Sequence, residues 1–181
     1  MMPDMGSYRE PEFAHLKELS IGNAWLARWV KDEPLPTDVP VDYAYGLVFL
    51  GDKGYVCRSQ AASVWGTVEG ATEGADVAAF LSGAAHDQTG AVVGRQELVG
   101  FLYCKATSHN PEHESGAVRT RPIYVLVAKS MDDVPEGTGF VRRRLPLNEH
   151  LMALRDRYPE LGKSMTEASE KYSIMRARGE A

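Results

Sequence analysis

His86 and Asp87 are the adjacent side chains of this sequence best suited to proton transfer. A histidine titrates near neutral pH, and next to a carboxylate it can serve as a general acid or base. A structural role competes with this one, because the helix dipole stabilises a histidine in the last turn of a helix. We predict that His86 and Asp87 are catalytic, and the structural role stays open as the alternative.

More acids lie in the glycine-rich turn that precedes this pair. Carboxylate oxygens are the ligands that Mg²⁺ prefers in proteins, so Glu69, Glu73 and Asp76 are candidate metal ligands together with Asp87. Asp76 also stands where a helix is expected to begin, and aspartate is a favoured N-cap residue. The sequence therefore predicts either weakly bound Mg²⁺ or Mn²⁺, with Glu73, Asp76 and Asp87 as the ligands, or no cofactor.

A polar loop over residues 106–120 carries two histidines and two glutamates. His109 and His113 have the spacing that binds a transition metal on a helix, but Pro111 disfavours a helix here. Glu112 and Glu114 could instead provide a catalytic base that the loop holds over a pocket. We predict this catalytic role for Glu112 and Glu114, and the alternative is a solvated loop outside the site.

Arginines and an aromatic residue are candidate substrate-binding groups. Arg58 ends a predicted strand, while Arg119 and Arg121 lie at the end of the polar loop. The planar guanidinium group forms paired hydrogen bonds with phosphate or carboxylate oxygens. Trp65 can stack on an aromatic ligand, although core packing is the commoner role of such a residue. We predict that these four residues bind substrate, whereas the run Arg142–Arg144 is more typical of a solvated strand edge.

Hydrophobic periodicity and turn residues predict the elements that must position these side chains. Strands are predicted over residues 43–50, 55–58, 97–105, 122–128 and 140–145, and helices over 75–88, 148–157 and 160–178. Helical spacing of apolar residues also predicts helix within residues 12–30. The order of elements predicts an α+β fold, an α/β/α sandwich with a mixed sheet. We expect an N-terminal arm and helix over 1–40, a domain over 41–157, and a C-terminal helix packed on it over 158–181.

Several short motifs, in the same order along the chain, resemble those of the Nudix hydrolase family. WGTVEG at residues 65–70 resembles the family's W-G-x-P-G-G turn, and Asp76 keeps the next spacing of the Nudix box with Asp in place of Glu. HDQTG at 86–90 resembles the R-E-E-T-G end of the box, and PLNE at 146–149 resembles the start of the family's last helix. The resemblance covers about residues 42–154 and implies a Nudix-like mixed sheet with a box helix and C-terminal helices.

The resemblance also implies a chemistry that these residues match less well. In the family, carboxylates of the box helix hold Mg²⁺ or Mn²⁺, which neutralises a diphosphate and activates the attacking water. Aligned back from Gly90, this chain has Gly83 and Ala84 where the family has Arg-Glu, and Asp87 and Gln88 where it has Glu-Glu. One carboxylate and one amide are poor ligands for a hard cation.

We therefore predict a Nudix-fold enzyme with atypical acid/base chemistry on a small phosphorylated or nucleotide-like metabolite. Two alternatives remain open. One is a metal-dependent diphosphate hydrolase with rebuilt ligands, and the other is a non-catalytic module that binds a ligand or another protein.

The composition of the 181-residue chain is that of an ordinary globular protein. A net charge of −5 argues against a nucleic-acid partner. No apolar run is long enough to span a membrane and no signal peptide is recognisable, so a cytoplasmic location is expected. Cys57 and Cys104 are then expected to be reduced core residues. The terminal segments allow a homodimer without requiring one.

Overall fold

Strands dominate the computed structural model, which describes residues 13–181. The strands are β1 (Glu18–Ile21), β2 (Trp25–Lys31), β3 (Tyr43–Leu50), β4 (Lys53–Ser59), β5 (Val68–Ala71), β6 (Ala91–Ala106), β7 (Val118–Met131) and β8 (Phe140–Pro146). The helices are α1 (Val77–Thr89), α2 (Leu147–Arg157) and α3 (Gly162–Ala177), with a 3₁₀ turn at Pro159–Leu161. Among these helices, none is long and apolar enough to cross a membrane.

One mixed sheet contains all eight strands, in the order β1-β2-β6-β7-β3-β4-β8, with β5 paired beside β3. The strands β3 and β7 run parallel, and the other pairs are antiparallel. The first half of β3 pairs with β5 and its second half pairs with β4. Within the described residues, β1 and β8 therefore lie at the two ends of the strand order, and β5 pairs with β3 alone.

The two faces of the sheet bury separate cores because side chains alternate along each strand. On β3, Ala44 and Val48 pack in a cluster with Leu81 of α1. Leu47 and Phe49 point the other way and pack with residues of α2 and α3. Helices thus cover both faces, which confirms the predicted α/β/α sandwich.

The helix predicted within residues 12–30 is wrong, because strands β1 and β2 occupy residues 18–31. Trp25, Ala27 and Trp29 are buried, whereas Leu26 and Arg28 between them are less buried. Gly22, with a φ of 56°, makes the turn between β1 and β2. Every residue of β2 pairs with β6, so ladder hydrogen bonds and burial outweigh the helical spacing. The alternation at 25, 27 and 29 is the signal that identifies the strand. Residues 1–12 lie outside the described part of the chain.

Most of the other predicted elements are present. The strands predicted at 43–50 and 140–145 and the helix at 148–157 match within one residue, while β6 and β7 extend well beyond the predicted 97–105 and 122–128. Strand β5 was not predicted, since it is short and contains Glu69 and Gly70, which disfavour strands. Both cysteines are buried free thiols, as predicted. The division into segments 1–40, 41–157 and 158–181 stays a prediction.

Candidate ligand-binding site

The ends of α1 are set by two capping residues. The Asp76 carboxylate accepts a hydrogen bond from the Ala79 N–H at 3.0 Å, so Asp76 is an N-cap. Gly90 ends the helix with a φ of 80°, and a side chain there would overlap the Asp132 carbonyl. Both ends of α1 are therefore set by residues next to the helix in the sequence.

A shallow cleft of about 590 Å³, here called the helix cleft, lies beside α1. It is lined by Glu69, Gly70, Ala71, Ala79, Phe80, Gly83, Ala84, Asp87, Gln88, Thr138 and Phe140. Asp87 is exposed on its wall and is the only acid of α1. A Cβ atom on Gly83 would meet no atom within 4 Å, so this wall is open. The helix cleft is therefore mostly apolar, with one carboxylate from the helix.

Gln88 ties α1 to β5 through both halves of its amide. Its Nε2 donates to the Glu69 carbonyl at 3.1 Å, and its Oε1 accepts from the Glu69 N–H at 3.4 Å. The Cys57 thiol also lies 3.8 Å from the same Oε1. An amide can both donate and accept in this arrangement, whereas an ionised carboxylate has no proton to give to the carbonyl. The amide at position 88 is thus explained by a structural hydrogen-bond pair.

The predicted metal ligands do not form a site that fits Mg²⁺ or Mn²⁺. Glu73 and Asp76 do not line the helix cleft, and the Asp76 carboxylate caps α1. Among residues 13–181, no three His, Cys, Asp or Glu side chains are grouped as a metal site would require. Asp87 offers one carboxylate, and the Gln88 amide is already hydrogen-bonded to the Glu69 backbone. These two groups are too poor a donor set for a hard cation.

A second pocket of about 380 Å³, here called the tyrosine pocket, lies on the α2 side of the sheet. It is lined by Ile21, Gly22, Tyr43, Tyr45, Glu69, Arg121, Arg157, Tyr158, Glu160 and Leu161. Both pockets are lined by Glu69, whose backbone contacts Gln88 and whose side chain pairs with tyrosines. The two pockets are therefore neighbours that share one residue of β5.

The Glu69 carboxylate is held between two phenols. Tyr43 donates to its Oε1 at 2.7 Å, and Tyr158 donates to its Oε2. The Tyr158 oxygen also accepts the Thr67 N–H at 3.0 Å, which fixes the phenol against the turn before β5. Burial raises the pKa of Tyr45 to about 12, and burial together with the Glu69 charge raises the pKa of Tyr43 and Tyr158. All three phenols therefore stay protonated at neutral pH, and those of Tyr43 and Tyr158 act as donors to Glu69.

Arg121 is the cation of the tyrosine pocket that has a carboxylate partner among the described residues. Its Nε donates to the Asp42 carboxylate at 3.3 Å, and its guanidinium lies 5.1 Å from the Trp25 ring centre and 4.9 Å from that of Tyr43. An arginine paired with a carboxylate and stacked on aromatic rings is held in one orientation. Arg121 thus lines the tyrosine pocket, and its substrate-binding role stays a prediction.

The other predicted catalytic residues are not gathered at either pocket. His86 Nε2 lies 3.0 Å from the Asp132 carboxylate, outside the lining of the helix cleft. Glu112 and Glu114 belong to a loop that is tied through Asn110 to the Ala24 carbonyl at 3.1 Å. This loop lines neither pocket. The catalytic roles of His86, Glu112 and Glu114 stay predictions.

The remaining predicted substrate-binding residues lie at two other places. Arg119 Nη1 donates to the Val118 carbonyl at 2.7 Å, and its Nη2 lies 3.5 Å from His113 in the polar loop. The Arg58 guanidinium lies 4.9 Å from the ring centre of Trp65. Sequence reasoning missed Tyr158, whose only local signal is the Tyr-Pro break after α2.

Comparison with solved structures identifies the architecture. The pyrophosphohydrolase BsRppH of Bacillus subtilis, in a mutant form, aligns with a TM-score of 0.53 and 16% identity, over 71% of this chain and 77% of that one. A Nudix hydrolase from Nitrosomonas europaea aligns with a TM-score of 0.50 and 16% identity, over 73% and 89%. No protein-family profile and no curated protein matches the sequence. The similarity is one of three-dimensional fold, and the chain has the Nudix fold.

Proposed function

We propose that this chain binds a small nucleotide-like metabolite in the tyrosine pocket, without the metal chemistry that the Nudix box usually supports. The observation that carries this proposal is the Glu69 carboxylate, which two phenols hold at the wall of a pocket lined by aromatic rings. Its volume of about 380 Å³ lies in the range of small-molecule sites.

The chemistry of the walls matches a heteroaromatic ring that carries N–H groups. Each Glu69 oxygen accepts one phenolic hydrogen bond, and a carboxylate oxygen can accept more than one. A ring amino or imino group can therefore donate to Glu69 while the ring packs on tyrosine. The guanidinium of Arg121 adds a fixed donor for a carbonyl oxygen of the same ligand. Guanine, cytosine and uracil combine all these groups.

A second function, acid/base catalysis, is favoured by the position of Asp87. Glu69 lines both the helix cleft and the tyrosine pocket, so Asp87 lies in the cleft next to the proposed binding site. Asp87 is then the carboxylate of α1 available for proton transfer. Asp87→Asn is expected to stop turnover of a bound nucleotide and to leave its Kd within about twofold, as for a group that acts only in the transition state. Unchanged turnover would remove this second function.

Calorimetric titration of the full chain with the four common ribonucleosides tests the binding function. At least one nucleoside is expected to bind, and Glu69→Gln is expected to weaken it roughly tenfold, because the charged acceptor is lost. The matched control is Glu170→Gln, which changes an exposed carboxylate of α3 that lines neither pocket. The proposal is refuted if no nucleoside binds, or if both variants bind as the wild-type chain does.

A further inference from the structure

Two arginines lie on the same face of neighbouring strands beside Trp65. In the pairing of β4 with β8, Val56 is opposite Arg143 and Arg58 is opposite Val141, so both arginines point to the α2 side of the sheet. Their guanidinium groups lie 4.9 Å (Arg58) and 5.8 Å (Arg143) from the Trp65 ring centre. An arginine that packs on an aromatic ring can still donate hydrogen bonds to a ligand.

A third arginine connects this pair to the tyrosine pocket. Arg157 is in the last turn of α2 and lies close to Gly66 in the turn before β5. A Cβ atom on Gly66 would be 3.6 Å from the Arg157 Cγ. The Arg157 guanidinium is 4.8 Å from the ring centre of Tyr158, and Arg157 lines the tyrosine pocket. Arg58, Arg143 and Arg157 thus surround the dipeptide Trp65-Gly66. These three arginines are here called the arginine platform.

The positive charge of the arginine platform is not neutralised by the part of the chain that the structure describes. None of the three guanidinium groups has a carboxylate within 4.0 Å among residues 13–181, whereas Arg28, Arg95 and Arg121 each have one. Arg58 is nevertheless held in place, because its Nη1 donates to the Ala62 carbonyl at 3.0 Å. Arg143 and Arg157 are exposed. A fixed arginine with two exposed neighbours suits an oxyanion.

We infer that the arginine platform binds a phosphate group of the ligand whose ring occupies the tyrosine pocket. This inference rests on the proposed function, and it specifies the ligand as a nucleotide in place of a nucleoside. The phosphate would lie over Trp65-Gly66, reached past Arg157, on the opposite face of the sheet from α1. The helix cleft, where the Nudix box lies, would then not be the phosphate site in this chain.

The test compares the affinity of a nucleoside with that of its 5′-monophosphate, measured calorimetrically on the full chain. The wild-type chain is expected to prefer the monophosphate by roughly tenfold or more, as for charge-assisted hydrogen bonds. Arg143→Ala is expected to remove most of this preference and to leave the nucleoside affinity unchanged. Arg144→Ala is the matched control, because Arg144 is an exposed neighbour on the same edge strand that points to the α1 side.

The outcomes separate this inference from the proposed function. Nucleoside binding without a preference for the monophosphate, or equal effects of the two arginine variants, overturns the phosphate site and leaves the binding function standing. Inorganic phosphate that binds through Arg143 while the monophosphate gains nothing also overturns it, since the platform would then serve a separate anion. If no nucleoside binds, the proposed function fails first.

Discussion

His150 on α2 is a fully buried histidine whose ionisation should control the stability of the fold. Its ring lies against Phe49, with 5.0 Å between ring centres, and over Gly54, where a Cβ atom would overlap the imidazole. Neither ring nitrogen has a hydrogen-bond partner among the described residues. Burial lowers the pKa of His150 to about 4, against 6.5 for an ordinary histidine.

The direction of the effect follows from this lowered pKa. Between about pH 6.5 and about pH 4, the unfolded chain binds a proton at His150 that the folded chain does not. The contribution of neutral His150 is therefore fully present above pH 6.5 and is lost as the pH falls toward 4. At 1.36 kcal/mol per pKa unit, the full loss is about 3 kcal/mol, of which about 2 kcal/mol falls between about pH 7 and about pH 5.

Urea denaturation of the wild-type chain and of His150→Leu at several pH values measures how much the ionisation of His150 changes the free energy of unfolding. Leucine fits an apolar site and cannot titrate, so the free energy of unfolding of the variant should fall by about 2 kcal/mol less between about pH 7 and about pH 5. Acids elsewhere titrate in both chains and cancel in the comparison. If the two chains lose the same free energy of unfolding, His150 does not titrate as its burial requires and the reasoning is refuted.

Three further substitutions, one of an amide and two of glycines, test the contacts around the site, and urea denaturation at neutral pH measures all three. Gln88→Glu should lower the free energy of unfolding by about 1–3 kcal/mol, because a carboxylate would face the Glu69 carbonyl. A variant as stable as the wild-type chain would contradict the structural role of the amide. Gly46→Ala should cost about 1–3 kcal/mol, since the new methyl group overlaps Leu126. Gly83→Ala should raise the free energy of unfolding by up to about 1 kcal/mol, because alanine favours a helix and the new methyl group would have no neighbour within 4 Å. If Gly46→Ala and Gly83→Ala change the stability equally, the packing described for these two glycines is contradicted.

The local sequence identifies elements whose determinants lie within a few residues of one another. The N-cap Asp76 and the left-handed Gly90 mark α1, and the apolar run Tyr43–Leu50 marks the central strand. Strand β2 was predicted as helix because its apolar residues also fit a helical stripe. Its pairing with β6, from Trp25 opposite Ala106 to Lys31 opposite Gly100, decides the conformation, and these partners are far apart in the sequence.

In the candidate site, too, some features follow from the sequence and others only from the tertiary structure. The sequence determined that α1 carries a single acid, Asp87, because residue identity alone settles which metal donors a helix can offer. Only the tertiary structure decided that Glu69 lies between two phenols, since Tyr158 is 89 residues distant along the chain and reaches Glu69 from the end of α2. It likewise decided that arginines from β4, β8 and α2 meet around Trp65-Gly66. Such contacts depend on strand register and helix docking, which short-range periodicity does not encode.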